Sequence, residues 1–213
     1  STLDSIGALS KWKGDPSAAS RPFDKKRKGF VISEGSCVLV LEEKRHAVDR
    51  GAHIYAEITS YASHNNAQHM TDLKDSETLE KTISDSLKEA KLVPSDIDYI
   101  NAHGSSTRQN DQCESDAIRS IFGKSATSIP VNSTKSMMGH PLSAASLIAM
   151  TSVLGVIKYS EIPKNINLEY PDEDCNLNLP VKNIKQNVEN AMVMASGFGG
   201  IHSVCTLKKF GAC

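Results

Sequence analysis

Residues 98–114 read DYINAHGSSTRQNDQCE, and this stretch indicates both the fold class and the place of a functional site. A short apolar run that stops at His103 and is followed by Gly104 is typical of a buried strand that delivers a side chain to a cleft. The glycine lets the backbone turn sharply, and the hydroxyls of Ser105 and Thr107 can bind a ligand. Alone, His103 is a weak signal, because a single histidine after a strand is more often structural.

A second stretch, residues 128–150 (SIPVNSTKSMMGHPLSAASLIAM), changes that interpretation. It predicts a short strand, a polar turn that contains Lys135, and a helix over 142–154 that is rich in Ala and Ser. Such a helix packs closely against another backbone, so Lys135 and His140 near its start are predicted to be buried. Burial lowers the pKa of both groups, and a helix N-terminus disfavours extra positive charge at His140. Two loops that each present a neutral imidazole indicate an oxyanion-type site.

Four motifs resemble those of the β-ketoacyl synthases, the condensing enzymes of the thiolase superfamily. They are NAHGSSTRQND, STKSMMGH, INLEYPDEDCNLNLP and ASGFGGIHS. In detail they resemble the ketosynthase-alpha subunit of type II polyketide synthases, and they cover the second half of such an enzyme. The resemblance implies a thiolase-like α/β fold with α/β/α/β/α layers, of which this chain would form the carboxy-terminal half, a mixed sheet covered by helices.

The same resemblance divides the chain after residue 52. Residues 1–52 would be the end of the amino-terminal ketosynthase half, with a core strand over 36–41, apolar on both faces, and a helix over 42–50. Residues 53–213 would be the carboxy-terminal thiolase-like ketosynthase domain. The helices and strands predicted in this domain include residues 54–60, 76–90, 99–102, 114–122, 191–195 and 203–208.

The activity implied by the resemblance is a decarboxylative Claisen condensation of malonyl on an acyl carrier protein with an acyl or polyketide thioester. His103 and His140 would donate hydrogen bonds to the enolate or thioester oxygen, because aimed donors in a dry site stabilise developing negative charge. Lys135 would position His103 and act electrostatically on its neighbours. Glu114 would anchor the loops of His140 and Lys135 through hydrogen bonds, and Asp111 would be a second supporting residue.

Substrate-binding positions also follow from the resemblance. The phosphopantetheine arm and the acyl chain would contact Ser105, Thr107, Thr71, Gly197, Phe198 and Gly199. Phe198 would form a lid over the acyl chain, in a glycine turn that lets the backbone approach the active centre. After that turn the chain has Ile201-His202 where the fatty-acid enzymes have Thr-Asn within F-G-F-G-G-T-N. His202 is expected at the rim of the site and not as a third catalytic histidine.

The nucleophile is missing from this pattern. None of the five cysteines lies at a strand-to-helix elbow like that of the catalytic cysteine of the family, which belongs to the amino-terminal half. We therefore expect a carboxy-terminal piece that is inactive alone. Its expected partners are the amino-terminal half that bears the cysteine, a chain-length factor (ketosynthase-beta) subunit and an acyl carrier protein.

Two alternatives remain open. The first is a fatty-acid β-ketoacyl-[acyl-carrier-protein] synthase II, which is disfavoured by the motifs QND (residues 109–111) and SGFGGIH (residues 196–202). A non-catalytic subunit like a chain-length factor, which shapes a tunnel and binds a partner, is disfavoured because His103, Lys135 and His140 are all present. A thiolase proper is expected to carry a C-x-G motif near its carboxy terminus, and Cys205 is followed by Thr-Leu.

Composition restricts the other classes. With 24 Lys and Arg against 25 Asp and Glu, the net charge of −1 argues against nucleic acid or a polybasic membrane surface. No apolar run approaches the roughly 20 residues of a membrane helix. Cysteines without C-x-x-C spacing predict free thiols in the cytoplasm, and no metal or cofactor is expected beyond the phosphopantetheine of the carrier. The basic run 25–28 predicts a solvated loop or, alternatively, a docking contact for an acidic partner.

Overall fold

A five-stranded mixed sheet is the centre of the computed structural model, which describes residues 2–5, 7–69 and 76–211. The strands are β1 (Ala56–Asn65), β2 (Tyr99–Asn101), β3 (Val131–Asn132), β4 (Glu161–Ile162), β5 (Ile184–Lys185), β6 (Asn190–Gly197) and β7 (Ile201–Lys209). The large sheet has the order β1-β7-β6-β2-β3, and β4 and β5 form a separate pair. Strand β2 is parallel to β3 and β6, whereas β7 is antiparallel to β1 and β6. The predicted mixed sheet is confirmed.

Helices cover both faces of this sheet. The α-helices of the described residues are α1 (Thr2–Ser5), α2 (Lys44–Asp49), α3 (Glu77–Ala90), α4 (Arg108–Phe122), α5 (Lys135–Met138) and α6 (Ala145–Tyr159). Helices α3 and α4 pack on one face of the sheet, and α6 packs on the other. The prediction for α3 is confirmed, but α4 begins at Arg108 and not at residue 114. Thr107 has an extended backbone at the N-cap position, and Asp111 lies in the first turn, where a carboxylate is favourable. The hydroxyl-rich segment is therefore shorter than the sequence predicts.

The sheet separates two clusters of buried apolar side chains, one on each face, and strand β6 contributes to both. Met192 and Met194 point towards the core of α3 and α4, while Ala191 and Val193 point towards α6. All four are nearly inaccessible to solvent. Because successive side chains of a strand alternate between faces, an apolar strand of this kind needs a cover on both sides. The order helix, sheet, helix follows from this pattern.

The core strand expected over residues 36–41 is wrong for the described part of the chain. These residues form no strand, and Val38, Val40 and Leu41 are 88%, 82% and 71% exposed. Their segment lies over α6, where Cys37 Sγ is 3.2 Å from Thr151 Oγ1. A strand needs neighbours that pair with its backbone, and no described segment pairs with this one. The helix expected after it is present as α2.

Helix α6 has an apolar side that the described residues leave open. By length and composition alone, the segment Leu142–Tyr159 is apolar enough to cross a membrane, so the expectation that no apolar run approaches this length is wrong. The core helix of a globular protein has the same composition, and Ala149, Val153 and Val156 of α6 are buried against the sheet. However, 28% of the segment is buried, and Leu147 is 37% exposed. The open side of α6 and the extended segment above it form one accessible apolar face.

Candidate active site

The carboxyl ends of β2, β3 and β6 meet at one edge of the sheet, because the three strands run in the same direction. In open α/β sheets this edge is where ligands bind. A cavity of about 740 Å³ opens there, and its wall includes His103, Ser105, Thr107, His140, Ser196 and Phe198. The structure thus brings the two predicted histidine loops into one site.

The rings of His103 and His140 lie edge to face, with centroids 5.2 Å apart and an interplanar angle of 74°. Burial is the main cause that lowers the pKa of His103 well below its ordinary value, and the charge of Lys135 adds to it. The same two causes lower the pKa of His140 to about 4. Nδ1 of His140 accepts a hydrogen bond from the backbone N–H of Leu142 (3.1 Å), so the neutral ring carries its proton on Nε2. His140 can therefore donate a hydrogen bond.

Lys135 lies beneath His103 and is 4% exposed. Its Nζ donates a hydrogen bond to the carbonyl oxygen of His103 (2.6 Å). Ser133 Oγ lies 3.2 Å from the same oxygen and 2.9 Å from the carbonyl oxygen of Gly104. Burial lowers the pKa of Lys135 to about 8. The turn at His103 is thus held from below by side chains of the next loop.

Glu114 anchors a different loop from the one predicted. Its carboxylate accepts the backbone N–H groups of His103 (2.6 Å) and Gly104 (2.8 Å). The predicted hydrogen bonds to the loops of His140 and Lys135 are wrong, because the early start of α4 places Glu114 behind the end of β2. Its link to Lys135 is electrostatic. Burial raises the pKa of Glu114 to about 7. The two backbone N–H donors act in the opposite direction, because they stabilise the charged carboxylate.

Asp111 supports the neighbouring turn. It accepts hydrogen bonds from the backbone N–H groups of Phe23 (2.8 Å) and Ser106 (3.2 Å), and Arg27 Nε lies 3.5 Å from its carboxylate. Arg27 is 2% exposed, although the basic run 25–28 predicts a solvated loop. The other three members of the run are exposed. Sequence reasoning missed Arg27, because nothing in the run itself indicates which cation turns inward.

Four of the six predicted substrate-binding residues line the cavity: Ser105, Thr107, Gly197 and Phe198. Ser105 Oγ and Thr107 Oγ1 are 2.9 Å apart, and both residues line the cavity. Phe198 is 50% exposed at the tip of the turn between β6 and β7. Gly197 also lines the wall, while Gly199 lies in the turn with φ +81°. Thr71 lies outside the described residues.

Two residues beside this turn differ from expectation. His202 is 1% exposed, so its predicted position at the rim is wrong. Its Nδ1 lies 2.8 Å from Oγ of Ser196, a wall residue that sequence reasoning did not single out. The alternation of β6 and β7 was a possible signal, since it places both residues on the same face as the buried Met194 and Val204.

The described residues place neither a thiol in the cavity nor a cluster of metal-ligating side chains. The cysteines Cys37, Cys113, Cys175 and Cys205 form no disulfide bond with one another. None of these four lines the cavity, and burial raises the pKa of both Cys175 and Cys205 to about 11. Over residues 2–5, 7–69 and 76–211 no group of three or more His, Cys, Asp and Glu is arranged to hold a metal ion. The site consists of imidazole, ammonium and hydroxyl groups.

Comparison with known proteins places this geometry in a family. A model of the β-ketoacyl synthase carboxy-terminal domain matches residues 55–169. The chain belongs to the β-ketoacyl synthases. It is 44% identical over 210 residues to the tetracenomycin polyketide synthase ketoacyl synthase alpha subunit of Streptomyces glaucescens. It is 42% identical over 208 residues to the 3-oxoacyl-[acyl-carrier-protein] synthase 2 of a Synechocystis species.

Solved structures of ketosynthases share the fold. One is described as a type II polyketide synthase acyl-carrier protein in complex with its ketosynthase bound to the hexaketide; it has a TM-score of 0.95 and 45% identity over 98% of this chain. Another is the ishigamide ketosynthase/chain length factor, with a TM-score of 0.91 and 33% identity over 99% of this chain. The fold is therefore thiolase-like.

The similarity covers half of the relatives. The chain spans 49% of the Streptomyces glaucescens protein and 50% of the Synechocystis protein, while 97% of the chain itself is matched in both. It likewise covers 52% and 50% of the two solved chains.

Proposed function

We propose that this chain supplies the histidine and lysine part of a β-ketoacyl synthase site that performs decarboxylative Claisen condensation. The pair of neutral imidazoles, buried at His103 and half-buried at His140, carries the proposal. Such rings donate hydrogen bonds without bringing a competing charge, and a dry, pre-arranged donor pair stabilises an oxygen that becomes negative. Lys135 keeps the backbone of His103 in place and disfavours protonation of both rings.

The reaction needs a carbon nucleophile and an acyl acceptor. Malonyl on an acyl carrier protein loses carbon dioxide, and the electron pair of the broken bond forms an enolate. The enolate carbon attacks an acyl thioester held on a cysteine, and the thiolate leaves. His103 and His140 would donate to the enolate and thioester oxygens, while Ser105 and Thr107 would bind the phosphopantetheine arm. No described cysteine is placed for the acyl step, so the nucleophile lies outside the described residues of this chain.

A further polypeptide segment would complete the site. The open side of α6 and residues 36–41 present an apolar face that a neighbouring sheet or helix layer can cover. We propose that the amino-terminal half of the ketosynthase, with the catalytic cysteine, covers it. The division of the chain between residues 52 and 53, just before β1, is part of the same proposal. The chain-length factor in one related structure suggests a second partner of the same kind.

The mouth of the cavity suits an anionic carrier. Lys28 and Arg108 line it, are exposed, and take part in none of the ion pairs between described residues. Unpaired cations at a cavity mouth attract a phosphodiester and an acidic protein surface. Lys28→Glu and Arg108→Glu should therefore raise KM for the acyl carrier protein without lowering kcat. Lys124→Glu, an exposed change at the far end of α4, is the matched control.

The decisive experiment begins with native mass spectrometry of the purified protein. A companion polypeptide with a cysteine that reacts with iodoacetamide is expected, and the assembly should decarboxylate malonyl-carrier protein. His103→Ala and His140→Ala should each abolish that step, whereas the control His64→Ala should not. A folded chain without a companion, or decarboxylation that survives both changes, would refute the proposal. The cytoplasmic location and the absence of any cofactor beyond the carrier arm belong to the same proposal.

The fatty-acid alternative retains one supporting observation. The Synechocystis synthase is as similar to this chain as many polyketide relatives are. The two functions differ in the acyl chain that is extended. A fatty-acid synthase extends a saturated chain, whereas a polyketide synthase extends a chain that is rich in ketones. Comparing kcat/KM for matched saturated and 3-oxo primers separates them.

A further inference from the structure

Ser196 and His202 face each other at the base of the turn that joins β6 to β7. They are partners in the antiparallel register of these strands, and Ser196 Oγ is 2.8 Å from Nδ1 of His202. Ser196 lines the cavity that contains His103 and His140, whereas His202 is 1% exposed behind it. A hydroxyl of the cavity wall is thus held by a buried imidazole.

This contact leaves Ser196 able to bind a ligand. A hydroxyl has one proton and two lone pairs, so one hydrogen bond to an imidazole does not exhaust it. When His202 carries a proton on Nδ1, it donates to Ser196 Oγ, and the hydroxyl proton is left for a carbonyl oxygen in the cavity. The backbone of His202 is held in turn by the sheet, since β7 pairs with β6 on one side and with β1 on the other.

The wall around Ser196 is held on its outer side as well. The backbone N–H of Asn66 donates to the carbonyl oxygen of Gly200 (3.1 Å). The side chain of Asn66 fills the space that a Cβ on Gly200 would occupy, and Gly200 has φ +74°. The turn is therefore packed between β1 and the cavity, so Ser196 sits on a fixed surface and not on a free loop.

We propose that Ser196, positioned by His202, is a specificity-determining residue that recognises a ketone oxygen on the acyl chain. The inference rests on the proposed condensation, and it names the substrate class of that site. Each decarboxylative condensation with malonyl adds two carbons and one ketone, so a chain that is not reduced carries a carbonyl on alternate carbons. A saturated acyl chain offers no such acceptor beyond its thioester. The hydroxyl of Ser196 can therefore distinguish a ketone-bearing acyl chain from a saturated one by a single hydrogen bond.

The test uses the intact ketosynthase and two pantetheine amides of equal chain length, 3-oxohexanoyl and hexanoyl. Isothermal titration calorimetry gives their affinities, and kcat/KM is measured for the corresponding carrier-bound primers. Ser196→Ala should weaken binding of the 3-oxo amide about ten-fold, the equivalent of one neutral hydrogen bond, and leave the hexanoyl amide unchanged. Ser196→Thr keeps the hydroxyl and should keep the preference.

His202 is tested as a positioning residue. His202→Ala should reduce the preference for the 3-oxo amide as Ser196→Ala does, and His202→Gln, which restores an N–H donor, should rescue it. His64→Ala, in the same register row on β1, is the control and should change neither affinity. If His202→Ala does not fold, the two Ser196 variants decide the question alone.

The outcomes separate this inference from the proposed function. An active enzyme in which Ser196→Ala lowers both kcat/KM values equally, or neither, would overturn the role of Ser196 and leave the condensation standing. A protein that discriminates the two amides through Ser196 but performs no condensation would refute the proposed function and support the binding site.

Discussion

Replacing His140 with Gln should remove part of the pH dependence of folding stability. In the folded protein, burial and the charge of Lys135 lower the pKa of His140 from 6.5 to about 4. A histidine with a depressed pKa binds its proton more weakly when folded, so its contribution is fully present above pH 6.5 and is lost as the pH falls towards 4. At ~1.36 kcal/mol for each pH unit, the loss is at most about 3 kcal/mol.

The measurement is urea unfolding of the wild type and of His140→Gln at several pH values between 4 and 7. Glu114 contributes with the opposite sign, because burial raises its pKa to about 7. Its contribution is present at low pH and is lost as the pH rises through 7. Both proteins contain Glu114, so its effect cancels when the two stability curves are subtracted. The difference between the curves should therefore grow with pH from 4 to 6.5 and then become constant.

A direct titration provides the second assay. The imidazole resonances of the wild type, assigned with His140→Gln, should show a midpoint for His140 near 4. A midpoint near 6.5, together with stability curves that run parallel over the whole pH range, would refute the reasoning. The ring would then be charged in a mildly acidic solution, and it could not act as a neutral donor there.

Three further changes test the support of the site and the core. Lys135→Met should cost about 2–3 kcal/mol in urea unfolding, because it removes a buried charge-assisted hydrogen bond; adding Glu114→Gln should recover part of this cost, and strictly additive effects would argue against the coupling. Gly104→Ala should destabilise the protein and broaden the resonance of His103, since φ is +43° and a Cβ would lie 2.5 Å from Cβ of Ser133; an unchanged melting temperature would contradict this. Ile118→Ala, at a position with 0% exposure, should cost about 2–5 kcal/mol in the same assay, and a cost below about 1 kcal/mol would contradict its place in the core.

Much of the site could be predicted because its chemistry is carried by short, local patterns. A strand that ends in His-Gly and a polar turn that ends in Gly-His each indicate a side chain at a strand end, whatever surrounds them. Parallel strands then bring His103, Lys135 and His140 together at one edge of the sheet. The lowered pKa values of both histidines also follow from their predicted burial.

Other predictions were wrong where a residue depends on neighbours that are distant in sequence. Arg27 and Lys28 are adjacent cations, yet the first is buried beside Asp111 and the second is exposed. Residues 36–41 have the composition of a core strand, but a strand exists only where another backbone pairs with it. Glu114 holds the turn at His103 because α4 begins earlier than its composition indicates.

The sequence by itself determined the family, the alternation of strands and helices, and the residue types that can stabilise an oxyanion. These properties follow from periodicity and from motifs that lie within a few residues of each other. Only the tertiary structure decided that His202 is buried behind Ser196, and that the described residues leave one apolar face of α6 uncovered. Burial and hydrogen-bond partners are set by which segments meet in space, and that choice depends on the free energy of the whole packed chain.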